Sequence, residues 1–170
     1  MDHFERLGLP RQHALDRDTL ETEYLARAAN AHPDKVNQDD SSAKRTAMEA
    51  SAAINEAYRT LRDPAKRAEY LVKLGGRDLD SSDPEVGAPK MPQAFLIEMI
   101  EHRERVAEAR SAGADALDDL REDIDGQLGD ALAAAVTAIA DGDTDAASRH
   151  LVVRRYLQRL IDEIDEIDEG

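Results

Sequence analysis

His32-Pro33-Asp34 stands between two stretches of helical period, and its position decides how the first half folds. Before it runs Leu20-Glu21-Thr22-Glu23-Tyr24-Leu25-Ala26-Arg27-Ala28-Ala29-Asn30-Ala31, in which Leu20, Tyr24, Ala28 and Ala31 share one face. After it comes a polar run, 35–42, and then a segment, 44–61, with Ala47, Ala50, Ile54, Ala57, Tyr58 and Leu61 at i, i+3, i+4 spacing. Proline disfavours helical geometry in the residue before it, so Pro33 stops the first segment. The tripeptide therefore tops a hairpin of two helices, paired antiparallel through alanine-rich stripes that allow close approach.

Two short helices flank the hairpin. Phe4 and Leu7, spaced i, i+3, predict a helical turn over 2–7, ended by Gly8-Leu9-Pro10. Asp16 and Asp18 both offer N-caps for the next helix, with Glu21 three residues after Asp18 as a partial capping box. Asp63-Pro64 is a start signal, Asp as cap and Pro at the first helical position, for a helix over 64–74 that Gly75-Gly76 closes.

The 170 residues suit one domain or two small ones. Aromatics are 4% and Trp is absent, so any core is built from aliphatic side chains. The net charge of -15 is uneven: residues 1–76 hold 12 Lys and Arg against 13 Asp and Glu, whereas 77–170 hold 10 against 24. That asymmetry predicts two domains. An acidic surface repels nucleic acid and anionic membranes, and neither is expected as a partner. With no cysteine, disulfides and thiolate metal ligation are excluded. Met1-Asp2-His3-Phe4-Glu5 does not read as a signal peptide, and no apolar stretch of 18 residues exists. A soluble, cytoplasmic protein is expected.

Residues 77–92 carry Ser81-Ser82-Asp83-Pro84, Gly87, Pro89 and Pro92, too many breakers for a helix, and read as a linker. Three helices follow over 93–111, 114–140 and 144–169, with Gly113 and Gly142 at the turns. Leu117, Leu120, Ile124, Leu128, Ala131, Ala135 and Ile139 form the core stripe of the second. Ala146, Val153, Leu157, Leu160, Ile164 and Ile167 form that of the third. Gly126 and Gly129 each cost roughly 1 kcal/mol of helix stability, so a bend or fray is expected there. Short connections predict an antiparallel three-helix bundle over 93–170. The fold class is all-α.

The first helix of that bundle has two apolar sectors. Phe95, Met99, His102, Val106 and Ala109 form the bundle-facing line. Leu96, Ile97 and Ile100 lie on another sector, with Glu104 and Glu108 in it and Glu101 at its edge. Tyr156 and Val152 fall outside the stripe of the last helix and extend the patch. Two readings are open: the sector packs against the first domain or the linker, or it docks another protein.

Catalytic and metal sites are not expected. None of His3, His13, His32, His102 and His150 shows Glu-x-x-His or zinc-ligand spacing, and no phosphate loop or nucleophile motif appears. His102 and His150 fall near core faces. No cofactor is expected.

The order short helix, long helix, His-Pro-Asp, long helix, short helix resembles a J domain over 1–76. Ile54-Asn55-Glu56-Ala57-Tyr58-Arg59-Thr60-Leu61-Arg62-Asp63-Pro64 is similar to a characteristic stretch of that family. Arg67-Ala68-Glu69-Tyr70-Leu71, the opening Met1-Asp2-His3-Phe4 and Gly8-Leu9-Pro10 resemble one branch, the HscB co-chaperones. Phe95-Leu96-Ile97-Glu98-Met99-Ile100-Glu101-His102-Arg103-Glu104 is similar to the HscB segment that binds an iron–sulfur scaffold protein.

The resemblance implies a co-chaperone, not an enzyme. It implies that His32, Pro33 and Asp34 trigger ATP hydrolysis by a DnaK-type (HscA-like) chaperone, with Arg27 and Lys35 as weaker docking contacts. Many J domains carry more basic residues on the helix before the tripeptide, and an aromatic where Ala31 stands. It further implies that Leu96, Ile97, Ile100, Glu101, Glu104, Glu108 and Tyr156 bind the iron–sulfur cluster scaffold protein. A J protein with the same chaperone but another client is the alternative.

Overall fold

In a computed structural model, which describes residues 1–35 and 40–168, every regular element is helical. The predicted polar run falls partly outside these residues, at 36–39, as does the predicted end of the last helix at Glu169. The chain forms two compact units, Met1–Leu71 and Val72–Gly170. The all-α expectation holds.

In the first unit, α1 (His3–Leu7) is closed at its start by a capping box: Asp2 Oδ1 accepts from the Glu5 backbone at 2.9 Å and Glu5 Oε2 from the Asp2 backbone at 3.0 Å. Gly8 ends it with φ 64°, a left-handed geometry natural to glycine. Asp16, rather than Asp18, caps α2 (Arg17–Asn30), accepting from the Thr19 backbone at 2.8 Å, and Asp18 lies in the first turn. α3 (Ser41–Arg62) begins three residues before the predicted 44, because Asp40 Oδ1 accepts from the Ser42 and Ala43 backbones, both at 3.0 Å. Asp63 caps α4 (Pro64–Leu74), whose first eight residues belong to this unit, as its sequence predicts.

Phe4, Leu7, Leu20, Ile54, Ala57 and Leu61 make the core of this unit. Fully burying one such large side chain is worth about 1.5–3 kcal/mol, against about 1 for a cap, so the core sets the hairpin and the caps trim its ends. Tyr24 of α2 stacks on Tyr58 of α3 with centroids 4.0 Å apart, and its hydroxyl donates to Asn55 Oδ1 at 3.0 Å. The two arms of the hairpin are thereby fixed in register.

The second unit holds α5 (Gln93–Ala112), α6 (Ala114–Ala140) and α7 (Thr144–Asp168). Gly113 and the Asp141–Asp143 turn make neighbouring helices antiparallel. Phe95, Val106, Leu120, Ile124, Leu157, Leu160 and Ile164 lie in their shared core. α6 runs unbroken through Gly126 and Gly129, where the sequence predicts a bend or fray. A β-carbon at either would meet nothing within 4 Å, so both sit on an open side and the helix is carried by its packed face. Residues 77–92 are not helical and are pinned to this unit. Arg77 Nε lies 2.7 Å from Asp145 Oδ1, and Arg155 Nη1 lies 2.8 Å from Asp80 Oδ1. Among the described residues no helix is long and apolar enough to cross a membrane, and no cluster of three metal-ligating side chains forms.

Candidate functional site

Two surfaces gather the residues singled out by sequence. The first is the hairpin tip. Pro33–Lys35 forms one 3₁₀ turn, closed by the Lys35 backbone donating to His32 O at 3.0 Å. The imidazole of His32 is 58% exposed and the carboxylate of Asp34 86% exposed. The Asp34 backbone donates to His32 Nδ1 at 3.3 Å, and Asp34 Oδ2 lies 3.5 Å from the same nitrogen. The turn thus sets an imidazole and a carboxylate side by side, facing outward, with proline restricting the backbone between them. A partner arginine could meet that carboxylate with charge-assisted hydrogen bonds.

Lys35 is exposed beside the turn. Arg27 is more constrained. Its guanidinium pairs with Glu23 one turn earlier and donates to the Glu23 carbonyl at 3.2 Å. It also lies against Gly8, where an added β-carbon would stand 2.0 Å from Nη2. The absence of a side chain at position 8 makes room for that guanidinium.

The second surface is on α5. Leu96, Ile97 and Ile100 are 53%, 51% and 60% exposed, while Phe95, Val106 and Ala109 on the other side are buried. Glu101, Glu104 and Glu108 are exposed around them. Among the described residues these three glutamates make no ion pair, so their charge is open to a partner. The two-sector reading of this helix therefore holds in its geometry: one apolar face is core and the other is bare.

Tyr156 does not extend the bare sector, contrary to the sequence reading. It is 4% exposed and belongs to the core. Its ring meets Phe95 edge-on at 5.8 Å between centroids, and its hydroxyl donates to the Met99 carbonyl at 2.7 Å. Burial pushes the phenol's pKa up, so it remains a donor. The signal was available: Tyr156, Leu160 and Ile164 repeat at i, i+4, i+8, one line along α7. Val152 is also packed against that core, half-buried. His102 lies at the boundary, its Nε2 3.2 Å from Gln127 Oε1. So Tyr156 supports the patch from beneath, and Leu96, Ile97 and Ile100 form its surface.

Comparison with known proteins matches both halves of the chain to families. A DnaJ domain model matches residues 2–70, and a model described as the HSCB C-terminal oligomerisation domain matches residues 91–165. A co-chaperone protein HscB homolog from Ralstonia nicotianae is 35% identical over 173 residues, covering 98% of this chain and 96% of that one. Among solved structures, the chaperone HscB from Vibrio cholerae superposes with a TM-score of 0.79 at 28% identity, over 99% of this chain and 98% of that chain. The human co-chaperone protein HscB gives a TM-score of 0.82 at 26% identity, over 98% of this chain and 81% of that one.

Proposed function

The chain belongs to the HscB family of J-domain co-chaperones, and from that premise we propose that it brings an iron–sulfur cluster scaffold protein to a dedicated DnaK-type (HscA-like) chaperone and stimulates that chaperone's ATPase. It is a co-chaperone and not an enzyme. Its chemistry is recognition: His32 and Asp34 present polar groups to the chaperone from a turn that Pro33 stiffens, with Lys35 and Arg27 as auxiliary contacts. Leu96, Ile97 and Ile100 hold the scaffold protein, and Glu101, Glu104 and Glu108 orient it by charge. Tyr156 contributes by fixing α5 in place. The protein works in the cytoplasm, and its effect is to ease cluster transfer to acceptor proteins.

The observation that carries the client half is the bare apolar sector of α5 rimmed by unpaired carboxylates. A patch of that kind buries apolar area on contact, while its charged rim selects a cationic partner surface. The trigger half rests on the outward-facing His32 and Asp34 at the head of the hairpin.

Two measurements test the reading. Titration calorimetry of the scaffold protein into this protein should give saturable binding that the Ile97→Asp, Ile100→Asp double variant loses. Single-turnover ATPase assays with the chaperone should show stimulation that His32→Gln loses. Stimulation surviving in His32→Gln would reduce the tripeptide to a turn. Intact stimulation without scaffold binding would mean a J protein with another client.

A further inference from the structure

The first unit carries a second charged feature, apart from the hairpin tip. Arg17, Arg62 and Arg67 converge on one cleft of about 440 Å³, with Leu15, Pro64 and the Tyr58 ring among its other walls. Arg67 is 8% exposed. Its Nε donates to the Leu61 carbonyl at 2.7 Å and its Nη1 to the His13 carbonyl. Both acceptors are neutral. Asp63 is the carboxylate near enough to favour the Arg67 charge, and its Oδ1 is engaged in capping α4. The Arg62 guanidinium sits over Tyr58, 5.7 Å from the ring centre. Arg17 is exposed at the first turn of α2.

Among the described residues, none of these three arginines has a carboxylate within ion-pair distance. What sets them apart is that the three share one cleft, and that one of them, Arg67, is buried with only neutral backbone acceptors on its Nε and Nη1. A cation held away from water is costly until an anion joins it. The cleft is thus a positive well with a partly apolar lining. Tyr58 is no free platform for a stacked base, because it already carries the Tyr24 ring at 4.0 Å and the Arg62 guanidinium 5.7 Å from its ring centre.

We propose that this cleft binds a small organic dianion, a phosphomonoester or dicarboxylate with a short aliphatic body. The head group lies between Arg17, Arg62 and the Nη2 edge of Arg67, which makes no hydrogen bond to the described protein. The body rests on Leu15 and Pro64. The guanidinium forks of Arg17 and Arg62 can meet either head group bidentately, and Arg67 adds the single donor atom Nη2.

The test uses the full chain. Amide and arginine side-chain resonances are followed by NMR while butyl phosphate, glutarate or inorganic phosphate is added at constant ionic strength, with butylammonium as control. Saturable shifts confined to the cleft are expected, strongest with whichever organic dianion fits, and none with butylammonium. Inorganic phosphate alone should bind more weakly, lacking the body. Arg17→Gln combined with Arg62→Gln removes two charge-assisted contacts and should weaken binding tenfold or more, that is by about 1.4 kcal/mol or more. Both side chains are exposed, so the variant's melting temperature should match the parent's. Shifts that rise linearly without saturating, that appear equally at Arg103 and Arg159, or that persist undiminished in the double variant would overturn the assignment.

Discussion

The hydroxyl of Tyr156 on α7 donates to the carbonyl oxygen of Met99 on α5 at 2.7 Å, at the level of the helix where Ile100 points outward. One hydrogen bond from the core therefore holds the backbone from which the bare apolar sector projects. Replacing Tyr156 with Phe keeps the ring against Phe95 and removes only that bond. The expected cost is about 1 kcal/mol of unfolding free energy, read by urea denaturation. Scaffold affinity should fall less than in the Ile97→Asp, Ile100→Asp variant. Loss of affinity as large as that variant's would mean the phenol touches the partner directly.

The two faces of α5 should respond oppositely to mutation. Ile97→Asp with Ile100→Asp alters residues about half exposed and should leave stability within about 0.5 kcal/mol per site. Phe95→Ala, at 8% exposure, opens the core and should cost about 3 kcal/mol or more. Thermal melts of the two variants, compared with the parent, decide this. A strongly destabilised double variant would show that the bare sector is packed in solution.

Gly8→Ala should be costly beyond its size. Position 8 has φ 64°, which an L side chain adopts at about 1–2 kcal/mol, and the new methyl would occupy the space of the Arg27 guanidinium. The first unit should lose at least that much stability, measured by residue-resolved hydrogen exchange of α1 and α2. The Arg27 side-chain resonances should shift with it. Unchanged Arg27 signals would show that the guanidinium does not rest on Gly8.

Acid should weaken the first unit through His13. Its ring Nε2 donates to the Pro64 carbonyl at 2.8 Å, and burial, aided by the nearby Arg67 charge, holds its pKa below the usual value near 6.5. The unfolded chain therefore binds the proton more readily than the folded one. The associated stability is complete above about pH 6.5 and is lost as pH falls toward the lowered folded value. Urea midpoints of the first unit, followed by its own resonances, should drop from pH 7 to pH 5. His13→Gln should flatten that slope; an identical slope in the variant would remove His13 from the account.

Much of this was readable from residue order because the local signals agreed with the packing. The hairpin was visible because the apolar periods of its two arms, the stop at Pro33 and the start at Asp63-Pro64 all pointed to one arrangement. The α5 patch was visible because three large aliphatic residues cannot share a face with Phe95 and Val106. What escaped was three-dimensional. Tyr156 was assigned by a narrow stripe centred on Leu157, whereas a helix packed against two others buries a wider arc that takes in Tyr156 and Ile161. The start of α3 depended on a cap, Asp40, hidden in a polar run. The arginine cleft left no trace in sequence, since Arg17, Arg62 and Arg67 converge only after α2, α3 and α4 have packed.

The glutamates around Leu96, Ile97 and Ile100 do more than decorate the edge of the patch. An uncovered greasy face tempts two copies to stick. Here such a meeting would press Glu101, Glu104 and Glu108 against their own counterparts, on a half of the chain with 24 acidic and 10 basic residues. Glutamate reaches farther from a helix axis than leucine or isoleucine, so the repulsion is felt before the apolar groups touch. At physiological ionic strength that fence extends about 8 Å. It makes the surface selective by colloidal means, favouring a positively bordered visitor over an acidic one.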